Sequence, residues 1–194
     1  MENTIKIRAA RKEDAPIIAK VVMMALHDDG CQKLAGGSER LPLLEDLFTH
    51  LCESDNSQYS YLNSLIAEDD NGEYAGAIVA YDGVRMHDLR HAFVDAANSM
   101  MGYNLREEEM DNETDASEIY LDSVAVFAPF RGQGLASRLI DAAIERHKPS
   151  GKPFGLLCDP DNINAYNLYS RLGFVDLGMR KFAGIPMRHM QKNI

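Results

Sequence analysis

The sequence predicts an α/β fold in which a mixed β-sheet is flanked by helices. Three observations predict it. Strand and helix patterns alternate along the chain, an Asn71-Gly72 turn joins two apolar runs as in a β-hairpin, and two later strand patterns are each followed by a helical pattern. Because hairpins and strand–helix units occur together, a mixed sheet is favoured over a purely parallel one.

In the first half of the chain, alternation of polar and apolar residues marks the opening strand, and Pro16 opens a helix with apolar residues at helical spacing. Glycines at 36–37 indicate a loop before a second helix, which has Pro42 in its first turn. The Asn71-Gly72 turn then joins the hairpin strands. We therefore expect strands at 4–8, 64–68 and 74–81, helices at 16–26, 41–51 and 84–103, and a loop at 30–39.

The second half is built from strands followed by helices. A long strand pattern leads into the glycine loop 131–134, and a helix with an apolar stripe from Leu135 to Ile144 follows. Gly173 marks the end of a second helix. We expect strands at 118–126, at 153–158, from 174 and at 187–190, and helices at 135–147 and 161–172.

The composition is that of one soluble domain, covering residues 1–194, with 45% apolar residues, 26% charged residues and a net charge of −10. The negative charge excludes nonspecific nucleic-acid binding, because phosphates would repel the chain. Residues 1–4 lack the basic start of a signal peptide, and no apolar run is long enough to span a membrane. Three widely spaced cysteines are no disulfide framework, so we expect a cytoplasmic protein.

Residues 84–117 form a helical and acidic stretch. Seven acidic residues fall within residues 107–118. We interpret this run as a solvated connection between elements. The alternative is an acidic lip that attracts an amine substrate.

The loop Arg131-Gly132-Gln133-Gly134 has the composition of an anion-binding turn. It lies between a strand and a helix, where the first helical N–H groups have no internal acceptor and the helix dipole is positive. Glycine lets an anion approach the backbone, and Arg131 adds a full positive charge. The Lys-Ser/Thr of a Walker loop and the third glycine of a dinucleotide fingerprint are both missing.

The spacing Arg131-x-x-Gly134-x-Ala136 resembles the R/Q-x-x-G-x-G/A motif of the GNAT superfamily, the Gcn5-related N-acetyltransferases. The strand pattern at 121–126 and the segment 164–174, with its N-A-x-x-L-Y-x-x-x-G-F pattern, resemble two further parts of that family, and residues 5–15 resemble its first strand and helix. The resemblance covers most of the chain, and residues 84–117 are an insertion relative to it. It implies the GNAT fold, with a mostly antiparallel mixed sheet.

The resemblance implies an enzyme that moves an acetyl group from acetyl-coenzyme A (acetyl-CoA) directly to an amine. Val124 and Val126 match positions whose backbone binds the pantetheine arm, Asn164 matches a residue that hydrogen-bonds this arm, and Tyr169 matches the tyrosine that protonates the departing thiolate. The backbone that wraps the pyrophosphate matches Arg131, Gly132, Gln133, Gly134, Leu135, Ala136 and Ser137. Other interpretations stay open: Tyr169 as a core residue and Asn164 as a helix cap.

The attacking amine must lose a proton, since an ammonium of the lysine type has a pKa of about 10.4. Period two places Glu118, Tyr120, Asp122, Val124 and Val126 on one strand face, with Asp122 nearest the acetyl group. Asp122, Glu118 or neither is therefore the general base. Asp122 could instead be an acid hydrogen-bonded at a strand bulge.

The acceptor is expected to be a small-molecule or peptide amine, and a homodimer is possible because dimers are common in the family. A noncatalytic module that binds acyl-CoA is the alternative function. We expect no metal site: His87 and His91 share a helix face, but Asp88 stands where a zinc protease has Glu. Cys158 is expected to be a small core residue rather than a nucleophile.

Overall fold

The computed structural model describes residues 4–194. Residues 1–3 belong to the predicted domain and to the N-terminal stretch expected to lack a signal peptide, and they lie outside the described residues. Within residues 4–194 there are seven strands and five α-helices. The strands are β1 (Lys6–Ala9), β2 (Ser64–Glu68), β3 (Tyr74–Asp82), β4 (Ile119–Val126), β5 (Phe154–Cys158), β6 (Val175–Phe182) and β7 (Ile185–Lys192). The helices are α1 (Ala15–Ala35), α2 (Leu41–Glu53), α3 (Met86–Met101), α4 (Leu135–His147) and α5 (Ile163–Arg171).

The strands form one mixed sheet in the order β1-β2-β3-β4-β5-β7-β6. The β4–β5 pair is parallel, and every other neighbouring pair in this order is antiparallel. The parallel pair is joined through α4, as a parallel connection requires a crossover. The predicted mixed, mostly antiparallel sheet flanked by helices is confirmed.

Two apolar cores cover the sheet. One is formed by α1, α2 and α3, with Phe48, Phe93 and Ile66 among its buried residues. The other lies beneath α4, whose stripe of residues at helical spacing, from Leu135 to Ile144, is buried as the sequence predicts. The α3 helix, which lies in the segment predicted to be an insertion, therefore supplies part of the first core. Among residues 4–194, no helix combines the length and the apolar character needed to cross a bilayer.

The loop predicted at 30–39 is wrong for residues 30–35, because α1 continues to Ala35 and ends at Gly36, which has a φ of 80°. The helix is interrupted instead at His27, where φ is 58° and ψ is 167°. Across the break, the Cys31 thiol donates to the carbonyl oxygen of Met23 at 3.2 Å. The glycine at position 30 is tolerated inside the helix.

The interpretation of 107–118 as a solvated connection is wrong for two of its acids. Glu113 is 3% exposed and its carboxylate accepts a hydrogen bond from Arg90 at 3.0 Å. Glu118 is fully buried beside His189 of β7. These pairs join residues far apart in sequence, so the run of acids gave no sign of which members would be enclosed.

Candidate active site

The parallel strands β4 and β5 separate soon after they meet. They pair at Ile119 with Phe154 and at Tyr120 with Gly155, and the residues that follow on each strand are not paired. Between the separated ends lies a cavity of about 1260 Å³. Its walls include Val124 and Val126 on β4. The gap thus leaves one edge of β4 free for a ligand.

A β-bulge at Asp122 decides which backbone groups face this gap. The register on β3 moves from Ser123 opposite Val79 to Leu121 opposite Ala80, so Asp122 is the extra residue. The N–H of Ile119 points toward β5, where it donates to Pro153, whereas the N–H of Phe127 points toward β3, where it donates to Ala75.

Residues 119 and 127 both have odd numbers. In a regular strand their N–H groups would face the same side, because the direction of the N–H alternates from one residue to the next. After the bulge, residues 123, 125 and 127 turn their N–H groups toward β3. The N–H groups of Val124 and Val126 therefore point into the gap. They are unused donors aligned along a free strand edge, as the addition of an extended ligand requires.

The prediction that Glu118, Tyr120, Asp122, Val124 and Val126 share one face is wrong for the same reason. Val124 and Val126 pack on the α4 side of the sheet, in the core that also contains Leu121. Tyr120 packs on the other side, against Tyr81 at a ring distance of 5.7 Å. The extra residue reverses the alternation along β4.

The glycine loop forms one end of the cavity. Arg131, Gly132 and Ala136 line it, and Gly132 and Gly134 have φ values of 77° and 71°. These left-handed conformations favour glycine. Gly134 is the N-cap of α4, so the first N–H groups of this helix lack intrahelical acceptors. Arg131 is exposed, and its Nε donates to the carbonyl of Val126 at 2.9 Å, which holds its guanidinium beside the loop.

The other predicted loop residues have different surroundings. Gln133 is exposed and its side chain reaches the carbonyl of Pro129 at 3.5 Å. Leu135 is buried in the core, and Ser137 is half-buried. The prediction assigns binding to the backbone, and not to the side chains, of Gln133, Gly134, Leu135 and Ser137. Their position at the start of α4 is compatible with that role.

Two residues of the second motif also line the cavity. Asn164 and Tyr169 both project from α5. The cap of α5 is Asn162, whose Oδ1 accepts from the N–H of Ala165 at 3.0 Å, so the interpretation of Asn164 as the cap is wrong. Tyr169 packs edge-on against Phe174 at 6.0 Å between ring centroids. Burial, and after it the neighbouring Cys158, raise the pKa of Tyr169 to about 12, so the phenol is protonated at neutral pH.

Asp122 lines the same cavity. Burial, and after it the charge of Glu113, raise the pKa of Asp122 to about 7, although hydrogen bonds from Ser123, Gln58 and Tyr81 partly oppose the shift. The Ser123 hydroxyl lies 2.8 Å from the carboxylate. A carboxyl group with a pKa near the working pH is suited to accept and release protons. The bulge also fits the interpretation of Asp122 as a hydrogen-bonded acid, and the two roles are compatible.

Glu118, the other candidate base, does not line the cavity. Its carboxylate accepts hydrogen bonds from His189, Gln191 and Thr114, each at 2.9 Å. Burial would raise the pKa of Glu118, but these hydrogen bonds outweigh it and the pKa is lowered. A Cβ on Gly155 would overlap this carboxylate, so the glycine makes room for it. Glu118 therefore joins β4 to β7 and to the segment before β4 that contains Thr114.

The sequence analysis missed the contribution of α1. Met24, Ala25, His27, Asp28 and Asp29 line the cavity around the helix break. The signal that could have revealed them is weak, because no glycine or proline stands at 27. No cavity residue comes from 84–117, so the alternative of an acidic lip lacks support at this cavity.

The remaining predictions concern metal and thiol chemistry. Within residues 4–194, no group of three or more metal-binding side chains is present. His87 lies beside Glu107, with 2.5 Å between Nδ1 and Oε1. Cys158 is buried in the core at the end of β5, as predicted, and it also lines the large cavity; burial raises the pKa of its thiol.

Comparison with known proteins identifies the family and the fold. The model of the acetyltransferase (GNAT) family matches residues 29–174. A crystal structure of an acetyltransferase is 33% identical, with a TM-score of 0.77, and covers 97% of this chain and 99% of its own. The N-acetyltransferase from Staphylococcus aureus Mu50 is 26% identical, with a TM-score of 0.75, covering 96% and 99% respectively. No curated protein gives a significant match.

Proposed function

Because the chain belongs to the acetyltransferase (GNAT) family, we propose that it moves an acetyl group from acetyl-CoA to a primary amine. One observation carries the proposal: the free edge of β4, the glycine loop and two proton-transfer candidates, Asp122 and Tyr169, all border a single cavity. A diphosphate needs a loop of this kind, an extended amide-bearing arm needs a free strand edge, and a thioester that reacts with an amine needs groups that transfer protons.

The residues fit each part of acetyl-CoA. The N–H groups at the start of α4, with Arg131, would bind the diphosphate. The free N–H of Val126 and the carbonyl of Val124 would pair with the amides of the pantetheine arm, which leaves the N–H of Val124 for the reacting carbonyl, and Asn164 supplies a further polar contact. The cavity, at about 1260 Å³, is above the usual range of about 300–1,000 Å³ for small-molecule sites, which suits a long cosubstrate together with an acceptor.

Asp122 is the proposed general base. It takes a proton from the acceptor ammonium, and the neutral amine then attacks the thioester carbonyl, forming a C–N bond. The N–H of Val124 donates to the oxyanion that develops on the carbonyl oxygen. Collapse breaks the C–S bond, and the nitrogen loses a second proton as the thiolate gains one.

Tyr169 is the proposed donor to the departing thiolate. Its pKa of about 12 exceeds that of a thiol, about 8.5, so most of the stabilisation comes from a hydrogen bond that persists while the sulfur carries negative charge. A hydrogen bond to a charged group contributes about 1.5–3 kcal/mol. Removing the hydroxyl should therefore lower kcat about 10- to 100-fold.

The test combines calorimetry with thiol release. The pure protein should take up acetyl-CoA, and an amine panel should release free thiol. Tyr169→Phe should bind acetyl-CoA as the unchanged chain does but turn over more slowly. Tyr166→Phe, on the same helix, is the matched control and should bind and turn over as the unchanged chain does. Uptake of acetyl-CoA without thiol release from any amine would favour a noncatalytic acyl-CoA-binding module. Full turnover by Tyr169→Phe would remove this tyrosine as the donor.

A further inference from the structure

A second, smaller cavity adjoins the large one at Asp122. It measures about 80 Å³, and Ala25, Asp122 and Leu157 line both cavities. It extends between α1, the β4–β5 gap and the β6–β7 hairpin. We call it the side pocket.

Six of the ten residues that line the side pocket are apolar. Asp122 and Ser123 bring a carboxylate and a hydroxyl next to the large cavity, and two tyrosines complete the lining. Its walls include Val22, Leu26, Tyr59, Tyr120, Phe182 and Met187. No lysine, arginine or second acid is among its lining residues, so a second charge on a ligand would be buried there without a partner.

We propose that the acceptor is a primary alkylamine whose short apolar chain occupies the side pocket while its nitrogen lies at Asp122. This inference rests on the proposed acetyltransferase function and names its substrate class. If Asp122 takes the proton from the nitrogen, the carbon attached to that nitrogen is held beside Asp122 as well. The side pocket is the mainly apolar space that begins at this point.

The size of the side pocket limits the chain. A water-sized group takes about 30 Å³, so the side pocket holds about two or three carbon atoms beyond the one next to nitrogen. Propylamine and butylamine match this length. Amines with a distal ammonium or carboxylate do not match, because the walls offer no partner for either charge.

The experiment measures kcat/KM for linear primary amines from methylamine to octylamine at saturating acetyl-CoA. In the unchanged chain, kcat/KM should increase about fourfold with each methylene that the side pocket buries. It should reach a maximum at propylamine or butylamine and fall for longer chains. 1,4-Diaminobutane should be at least 10-fold poorer than butylamine, since its second ammonium would be desolvated.

Met187→Ala and Phe182→Leu enlarge the side pocket from the hairpin and should move the maximum to longer amines. Met179→Ala is the matched control, because Met179 is 56% exposed on β6 and lines neither cavity. Its length profile should stay that of the unchanged chain. Thermal unfolding of each variant confirms that the comparison is made between folded proteins.

Several results would overturn the proposal. One is a flat length profile in the unchanged chain, and another is a maximum that neither enlarged variant moves. A third is a preference for butyryl-CoA over acetyl-CoA without any effect of amine length, which would place an acyl chain in the side pocket instead. Amine acetylation with any of these profiles leaves the proposed acetyltransferase function intact. Absence of acetyl-CoA uptake would overturn both the proposed function and the proposed alkylamine acceptor.

Discussion

Substitution of Asp122 by asparagine gives the sharpest test of proton transfer at this site. At pH 7 an alkylamine with a pKa of about 10.4 is neutral in about one part in 2,500. If Asp122 deprotonates the bound ammonium, the enzyme can use the abundant charged form. The log of kcat/KM should then rise with a slope of one below pH 7, following the Asp122 pKa of about 7, and level off above it.

Asp122→Asn should depend on the rare neutral amine. Its kcat/KM at pH 7 should fall by about 1,000-fold, which lies within the usual contribution of about 100- to 10,000-fold for a general base. Its profile should keep rising with a slope of one through pH 9. The deficit relative to the unchanged chain should therefore shrink by about tenfold with each pH unit above 7 and become small near pH 10.

The assay is thiol release with butylamine and acetyl-CoA between pH 6 and 10. Asp161→Asn is the control, because Asp161 is exposed and lines neither cavity. Calorimetry with acetyl-CoA shows whether Asp122→Asn still binds the cosubstrate. An Asp122→Asn profile that levels off near pH 7, as in the unchanged chain, would refute the assignment of the base.

Two further predictions concern stability, measured by urea unfolding. Gly155→Ala should lower the free energy of unfolding by more than about 3 kcal/mol, because its Cβ overlaps the buried Glu118 carboxylate and breaks hydrogen bonds to a charged group. The control, Gly30→Ala in α1, should raise the free energy of unfolding by up to about 1 kcal/mol. A similar small effect of both substitutions would contradict this reasoning. Glu113→Gln should cost about 1.5–3 kcal/mol, since it removes the shorter of the two ion pairs of the buried Arg90 and leaves Glu107, at 3.5 Å, as the remaining one, and a change below about 1 kcal/mol would show that the Glu113 pair is replaceable.

The local patterns predicted the elements and the position of the glycine loop well. The hairpin at Asn71-Gly72, the stripe on α4 and the segment 131–137 each follow from residues that are close in sequence. The same holds for Asn164 and Tyr169, which one helix carries to the cavity. These features depend on short-range geometry, and short-range geometry is what residue spacing encodes.

Other features depend on contacts between distant residues. The bulge at Asp122 is set by pairing with β3, and a period of two along β4 cannot reveal it. Glu113 is enclosed because Arg90 of α3 reaches it. At Gly30 the helix continues past a residue of low helical propensity, because tertiary packing outweighs a cost of about 1 kcal/mol.

The pairing of β4 with β3 also explains why Asp122→Asn isolates one function. The pairing of residues 123–126 with β3, and not the Asp122 carboxylate, turns the N–H groups of Val124 and Val126 toward the gap. An asparagine leaves this pairing unchanged and so keeps these donors in place. Deleting residue 122 would remove the bulge, but Leu121 would then be followed by Ser123 in regular alternation, so the N–H groups of Val124 and Val126 would still point into the gap. Both variants should therefore bind acetyl-CoA while losing the base, and loss of acetyl-CoA binding by Asp122→Asn would show that the carboxylate itself holds the cosubstrate.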